Sequence, residues 1–451
     1  MKMKRTVAGV MSAALLMPTA AMAADNNEEA MDPAMTGATP ASDLRADLDY
    51  LLSEHFALAV ETMQKTYDEA PDAQVTEDAL YQNSKDMLPA IESVYGEEGA
   101  AEFDRIFTTH NDYTDDIVEA AKSGDEEARA DAEEEVEEFV EEFSTFLAGA
   151  TEGNLPQEAA EEAIRAHEMD VLSTFDSYVE GDYEAAYTSY REGFSRMFDI
   201  SKALSGAIVT QMPDQFENTS VDTPAADLRS TLNQLASEHF ALATLGMQKG
   251  VNQADDYDFV TWAEDQNTED FAAAVASVYG EEAGDQFATL WQPDHIDAQG
   301  DLVAAELESN EEARTTALDH IDRFTMDLGA FLGTATEENL PTEAAQESLR
   351  MHEDQVLATF DQRVAGDYEE ATGSYREGFQ FMFGVGEALG GAISAQNPDE
   401  FGGDEAAMPE EMPQTGMGGA SNNGWMTTFW ASITALVAGG AALFLRKKNN
   451  A

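Results

Sequence analysis

A seven-residue segment that occurs twice constrains this chain more than any other feature. Ser-Glu-His-Phe-Ala-Leu-Ala at 53–59 returns unchanged at 237–243. In each copy the histidine interrupts a stripe of leucines at steps of three and four residues, which places all of them on one face of an α-helix. The stripes are Leu44, Leu48, Leu51, His55 and Leu58, and Leu228, Leu232, Leu235, His239 and Leu242. The pattern predicts an imidazole that points into a core.

The duplication extends far beyond this segment. The matching stretches are 93–98 with 277–282 at an offset of 184, and 154–156 with 339–341 and 189–194 with 374–379 at an offset of 185. The change of offset indicates one inserted residue, which we place at a turn near Trp291-Gln292-Pro293. The chain is therefore a tandem duplication of a domain of roughly 175 residues. We define repeat 1 as 43–217 and repeat 2 as 227–402, with a linker at 218–226.

Each repeat is predicted to be all-α. Ala, Glu, Leu, Met and Gln dominate the composition, and the alternation typical of strands is scarce. In repeat 1 the pattern predicts helices near 43–67, 75–94, 98–122, 125–149, 156–180 and 183–210. Short connections favour antiparallel neighbours, so we expect two up-and-down bundles of about six helices each. Asp125 and Asp182 are predicted to cap the helices that follow them.

The first residues have the organisation of a secretory signal peptide. At 1–23, Lys2, Lys4 and Arg5 precede an apolar run and the small-residue site Ala21-Met22-Ala23. Residues 24–42 are polar and without periodicity, which predicts a flexible leader. We therefore expect an exported protein.

The C-terminus combines three elements in order. A spacer at 403–424 without periodicity contains Met412-Pro413-Gln414-Thr415-Gly416, an apolar run at 425–445 is long enough for a transmembrane helix, and a basic tail at 446–451 is expected on the cytoplasmic side. Together they resemble the sorting signal of Gram-positive cell-wall proteins, whose motif is Leu-Pro-x-Thr-Gly. The resemblance implies that a sortase cleaves after Thr415 and joins it to peptidoglycan, with membrane anchorage before cleavage. The alternative is a plain single-span membrane anchor.

The chain is strongly acidic and has no cysteine. It carries 90 acidic residues against 23 basic ones, a net charge of −67. Such a surface repels nucleic acid and attracts cationic ligands or basic partners. The absence of cysteine excludes disulfides and thiolate metal sites.

Six of the seven histidines form pairs between the repeats: His55 with His239, His110 with His295, and His167 with His352. Three helices in each repeat thus bring one histidine to an apolar face. These six histidines, with Glu54 and Glu238, are the candidate metal ligands, because imidazoles and carboxylates on facing helices bind transition metals in bundle cores. The Glu-x-x-His motif of di-iron bundles is absent, since Ile164 and Leu349 occupy its acidic position.

Two interpretations of the histidines remain open. They bind copper, zinc or haem iron, or they are core residues whose nitrogens find hydrogen-bond partners and whose repeats have a structural or adhesive role. An oxidoreductase built on the same histidines is a third class, although no nucleophile–base pair, phosphate loop or zinc-protease motif occurs. We therefore favour a binding function over an enzyme. Arg191 and Arg376 are interpreted as buried or half-buried partners of carboxylates.

The repeat is also similar to helical domains of Gram-positive surface proteins, some of them found alongside copper amine oxidase-like modules. The motifs that carry the similarity are Ser-Glu-His, Ser-Val-Tyr-Gly-Glu-Glu, and the stretch from 175–176 to 191–192. The resemblance favours copper among the metals. Neither repeat shows the tyrosine motif from which an amine oxidase forms its cofactor, so no such catalysis is implied.

Overall fold

The computed structural model describes residues 37–401, which are helical and contain no strand. Repeat 1 consists of α1 (Pro40–Tyr67), α2 (Ala73–Ser123), α3 (Glu126–Ala150), α4 (Gln157–Glu180) and α5 (Tyr183–Gln211). Repeat 2 consists of α6 (Pro224–Val251), α7 (Tyr257–Tyr279), α8 (Glu281–Trp291), a π-helical segment (Gln292–Ile296), α9 (Asp297–Glu308), α10 (Glu311–Ala335), α11 (Thr342–Ala365), α12 (Tyr368–Gln396) and α13 (Pro398–Phe401). The all-α prediction is confirmed.

A glycine at the same place in each repeat breaks a long helix. Gly96 has φ 74° inside α2, and Gly280 has φ 90° between α7 and α8. Glycine adopts positive φ readily because it has no Cβ. α2 therefore consists of two helical parts, which correspond to the helices predicted near 75–94 and 98–122. The predicted caps are also present, since the side chains of Asp125 and Asp182 accept bonds from backbone N–H groups of α3 and α5.

The inserted residue of repeat 2 does not form the predicted turn. The chain stays helical and widens into the π-helical segment Gln292–Ile296. A π-helix bonds each residue to the fifth one along, so a single extra residue can be absorbed without ending the helix. As a result His295 occupies the place in repeat 2 that His110 occupies in repeat 1.

The helices of each repeat enclose a core. In repeat 1, α1 packs against α2, α4 and α5, and α3 lies between α2 and α4. In repeat 2, α6 packs in the same way against α7, α11 and α12. α1 begins at Pro40, inside the predicted leader, and α6 begins at Pro224, inside the predicted linker. Both helices start at a threonine cap followed by proline, a pattern suited to a first helical turn.

The two repeats share one core instead of forming separate domains. α5 of repeat 1 packs against α6 and α7, and α12 of repeat 2 packs against α1 and α2. Phe194 and Phe379 meet with their ring centroids 6.2 Å apart, and Phe198 stacks on Phe383 at 6.5 Å. One continuous cluster of buried side chains contains residues of both repeats.

Arg191 and Arg376 join the repeats by reciprocal ion pairs. Arg191 of repeat 1 binds both carboxylate oxygens of Glu238, at 2.9 and 3.0 Å. Arg376 of repeat 2 binds both oxygens of Glu54, at 3.0 and 2.8 Å. The interpretation of these arginines as half-buried partners of carboxylates is confirmed, with each carboxylate in the opposite repeat.

None of the helices within residues 37–401 combines the length and the apolar character needed to cross a bilayer. The predicted signal peptide, the sortase motif, the span at 425–445 and the basic tail all lie outside the described residues. They stay predictions.

Candidate metal centre

Three histidines converge in each repeat, carried by three different elements. His55 (α1), His110 (α2) and His167 (α4) meet in repeat 1, and His239 (α6), His295 (π-helical segment) and His352 (α11) meet in repeat 2. All six are buried, and in repeat 2 their exposed fractions are only 0, 0 and 3 %. The stripes that place histidine among leucines thus turn the imidazoles towards one another.

The three histidines of repeat 2 have the spacing of a metal-ligand set. Each offers one ring nitrogen, and these atoms all lie within 4.8 Å of one another. The Nε2 atoms of His239 and His295 are 2.9 Å apart. Two ligands at the usual metal–nitrogen distance of about 2.0–2.1 Å are themselves separated by about 2.9–3.4 Å at angles between square and tetrahedral. The 2.9 Å between the Nε2 atoms of His239 and His295 lies in that range. The ligand nitrogen of His352 would have to move towards them by about 1–2 Å at most.

Several polar atoms of this cluster have no hydrogen-bond partner among residues 37–401. They are both ring nitrogens of His352, the Nδ1 atoms of His239 and His295, and both carboxylate oxygens of Glu353. Buried polar groups are normally paired, and each unpaired group costs about 1–3 kcal/mol. A metal ion bound between the rings would take the lone pair of His352, and it would replace the Nε2–Nε2 hydrogen bond of His239 and His295.

Glu353 supplies a carboxylate behind the ligands. Its Oε1 lies 2.9 Å from Nδ1 of His295, although the two groups are poorly aligned for a hydrogen bond. Burial alone would raise the pKa of Glu353, but the neighbouring His295 outweighs it and the pKa is lowered. An ionised carboxylate behind the outer nitrogen of a ligand histidine orients the ring and increases its basicity.

Burial keeps two of the imidazoles in their metal-binding form. It lowers the pKa of His239 well below its usual range, with help from His295 and His352. It lowers the pKa of His352 to about 4. Both rings are therefore neutral near pH 7, with a lone pair available. Glu264, whose Oε1 is 3.7 Å from Nδ1 of His239, has its pKa raised to about 8 by burial and so adds no charge there.

The histidines of repeat 1 form a looser version of the same cluster. The Nε2 atoms of His55 and His110 are 3.0 Å apart, and the ring centroid of His167 is 5.9 Å from that of His55. Nδ1–H of His110 donates to the carbonyl of Phe107, which leaves Nε2 with the lone pair. Burial lowers the pKa of His110 to about 4 and that of His167 to about 3. Within residues 37–401, the set in repeat 2 is the one that brings three ligand atoms within 4.8 Å.

The structure places Glu54 and Glu238 away from the ligand nitrogens. Glu54 accepts from Arg376 and from Asn83 Nδ2 at 2.8 Å, and Glu238 accepts from Arg191 and from Asn267 Nδ2 at 2.8 Å. These predicted ligands belong to the contact between the repeats, and their lone pairs are already used there.

The environment of the cluster includes residues that sequence reasoning missed. Phe324 stacks on His295 with ring centroids 4.2 Å apart, and Trp291 meets the same ring edge-on at 4.8 Å. The role of Glu264 could not be predicted from the polar positions that the repeats share, because repeat 1 has Leu80 at the matching position.

Comparison of the chain with protein-family models, with curated proteins and with solved structures found no match. The function is therefore inferred from the site itself.

Proposed function

We propose that this is an exported, cell-wall-anchored surface protein that binds one transition-metal ion in repeat 2 through His239, His295 and His352. The observation that carries the proposal is the convergence of these three buried imidazoles, with both ring nitrogens of His352 left without a hydrogen-bond partner among the described residues. A core role for the histidines would require partners for those nitrogens. Export and wall anchorage rest on the signal-peptide pattern and the sorting motif.

The ligand set selects the class of metal. Three imidazoles suit zinc or copper, whereas calcium and magnesium require oxygen ligands. Three histidines with an open fourth position are a known catalytic arrangement for zinc. A single ion suits the cluster better than haem, because the rings of His239, His295 and His352 lie 5.0–5.7 Å apart between centroids, whereas haem iron takes one or two axial ligands on opposite faces of a porphyrin. We therefore propose a mononuclear zinc or copper site.

The acidic surface supports this role. With a net charge of −67, the protein raises the local concentration of cations around it. The spacer from residue 402 to Thr415 can span at most roughly 45 Å when fully extended. A wall-anchored protein of this design would hold its metal close to the peptidoglycan.

The test is metal content of the full chain under conditions that remove weak binding. The protein is loaded with zinc or copper and dialysed against excess magnesium, which competes for surface carboxylates, and bound metal is counted by mass spectrometry. We expect one tightly held ion per chain and X-ray absorption showing three imidazole nitrogens. At 100 times its Kd the metal should stabilise the fold by about 2.7 kcal/mol.

The variant His352→Gln removes one ligand while keeping a polar side chain. It should lose the tightly bound ion and the metal-dependent stabilisation. His320→Gln is the matched control, because His320 is half-exposed and faces Asp294 at the surface, outside the cluster. If the parent keeps less than one ion per chain after dialysis, or if His352→Gln keeps as much metal as the parent, the metal site is rejected and the histidines are core residues.

A further inference from the structure

A partly open cavity of about 110 Å³ adjoins the histidine cluster of repeat 2. Its inner end is lined by His239, His352 and Phe324, which are buried, and its outer end by Ser277 and Ala388, which are exposed. The wall between the two ends is almost entirely apolar, made of leucine, valine, alanine and aromatic side chains. The cavity therefore connects the surface to the side of the cluster where His352 has both ring nitrogens unpaired.

The size and lining of the cavity define what it can hold. An apolar cavity of about 150 Å³ in another protein stays dry and binds benzene or xenon. A cavity of about 110 Å³ with so few polar atoms is similarly unfavourable for a chain of waters and suited to a compact apolar molecule. A charged or sugar-like ligand would lose its hydration without gaining partners along the wall.

Three matching positions of repeat 1 carry larger side chains. Leu52 stands where repeat 2 has Ala236, Phe143 where it has Leu328, and Ile200 where it has Val385. Phe143 is buried and packs into a row of aromatic rings with Phe103, Phe107, Phe139 and Phe146. At these three positions repeat 1 therefore places more side-chain volume in the region that the cavity occupies in repeat 2.

We infer that repeat 2 binds a small apolar molecule, about the size of benzene, in this cavity next to His239 and His352. The inference does not depend on the metal, because the cavity is formed by the protein alone. With a metal bound by the histidines, as proposed above, the apolar ligand would lie beside the metal. The two repeats would then differ in function, because repeat 2 admits a small apolar molecule to its histidines and repeat 1 does not.

The test uses metal-free full chain with benzene and, separately, xenon as probes. Binding is measured by calorimetry for benzene and by xenon NMR. We expect saturable binding at one site per chain. The double variant Ala236→Leu/Leu328→Phe copies two residues of repeat 1 into the cavity and should weaken binding at least tenfold while the melting temperature stays equal or rises, as expected for a filled cavity.

Two further variants keep the test decisive. Val385→Ile, also copied from repeat 1, should weaken binding in part if the double variant fails to fold. Leu307→Phe adds a similar volume at an exposed position and should bind like the parent. Absence of saturable binding in the parent, or equal binding in the parent and the filled variants, would overturn the inference. Because the protein is metal-free throughout, failure here is separate from failure of the metal site.

Discussion

Substitution of Arg376 by methionine should destabilise the whole fold, although Arg376 lies far along the chain from its partner. Glu54 has an exposed fraction of 0 % and receives two of its three hydrogen bonds from Arg376. Methionine fills similar space but leaves the carboxylate buried without its counter-charge. Breaking a buried ion pair on one side typically costs about 3–5 kcal/mol. Arg376 also pairs with Asp86, which is about one-third exposed, and the loss of this second pair adds at most about 1 kcal/mol to the cost.

Urea unfolding followed by circular dichroism measures this loss. We expect the free energy of unfolding of Arg376→Met to fall by about 3–5 kcal/mol, a large part of the roughly 5–15 kcal/mol that stabilises a typical protein. Addition of Glu54→Gln removes the stranded charge and should recover much of the loss. Arg191→Met should behave like Arg376→Met because its partner Glu238 is equally buried.

The control is Arg105→Met. Arg105 pairs with Glu102 and Glu142 at the surface, where all three side chains are about half exposed and solvent screens the charges, so we expect only a small loss of stability. A loss of that small size for Arg376→Met, or no recovery in the double variant, would refute the view that the repeats are held together by buried charge pairs.

Two other predictions concern the same interface and the core beside it. Burial raises the pKa of Asp49 to about 6. The protonated carboxyl therefore contributes stability that is fully present below about pH 4 and is lost as the pH rises through 6. The free energy of unfolding of Asp49→Asn, measured by urea unfolding, should exceed that of the parent by up to about 3 kcal/mol at pH 8 and equal it at pH 3. A Cβ at Gly378 would lie 2.2 Å from the ring of Phe240, so Gly378→Ala should lower the free energy of unfolding by about 1–3 kcal/mol. The control is Gly373→Ala, whose Cβ meets nothing within 4 Å and which should be neutral or stabilising by up to about 1 kcal/mol. Equal melting curves for the two variants would contradict this packing.

The sequence predicted the helices and the inward direction of the histidines because both follow from local periodicity. The step of three and four residues that places His55 and His239 among leucines depends only on helix geometry. The ion pair that Glu54 forms could not be predicted from local periodicity. Its partner Arg376 is hundreds of residues away, and only the packing of one repeat on the other brings them together.

The insertion near Pro293 shows a second limit. Proline and a change of offset indicate a break, and a turn is the commonest result. The π-helical segment forms instead because the residues on both sides, Trp291 and His295, pack into the same core as their counterparts in repeat 1. Tertiary contacts thus overrode the turn that the local sequence favoured.

The exchange of arginines between the repeats has a consequence for the symmetry of the chain. Each repeat presents the same glutamate and receives the same arginine, which is the pattern of an isologous dimer with two-fold symmetry. A single repeat already contains both halves of the contact, Glu54 and Arg191 in one case, Glu238 and Arg376 in the other. The contact inside this single chain is thus the one that two separate copies of a repeat would form as a symmetric pair, and each repeat carries everything that such pairing requires.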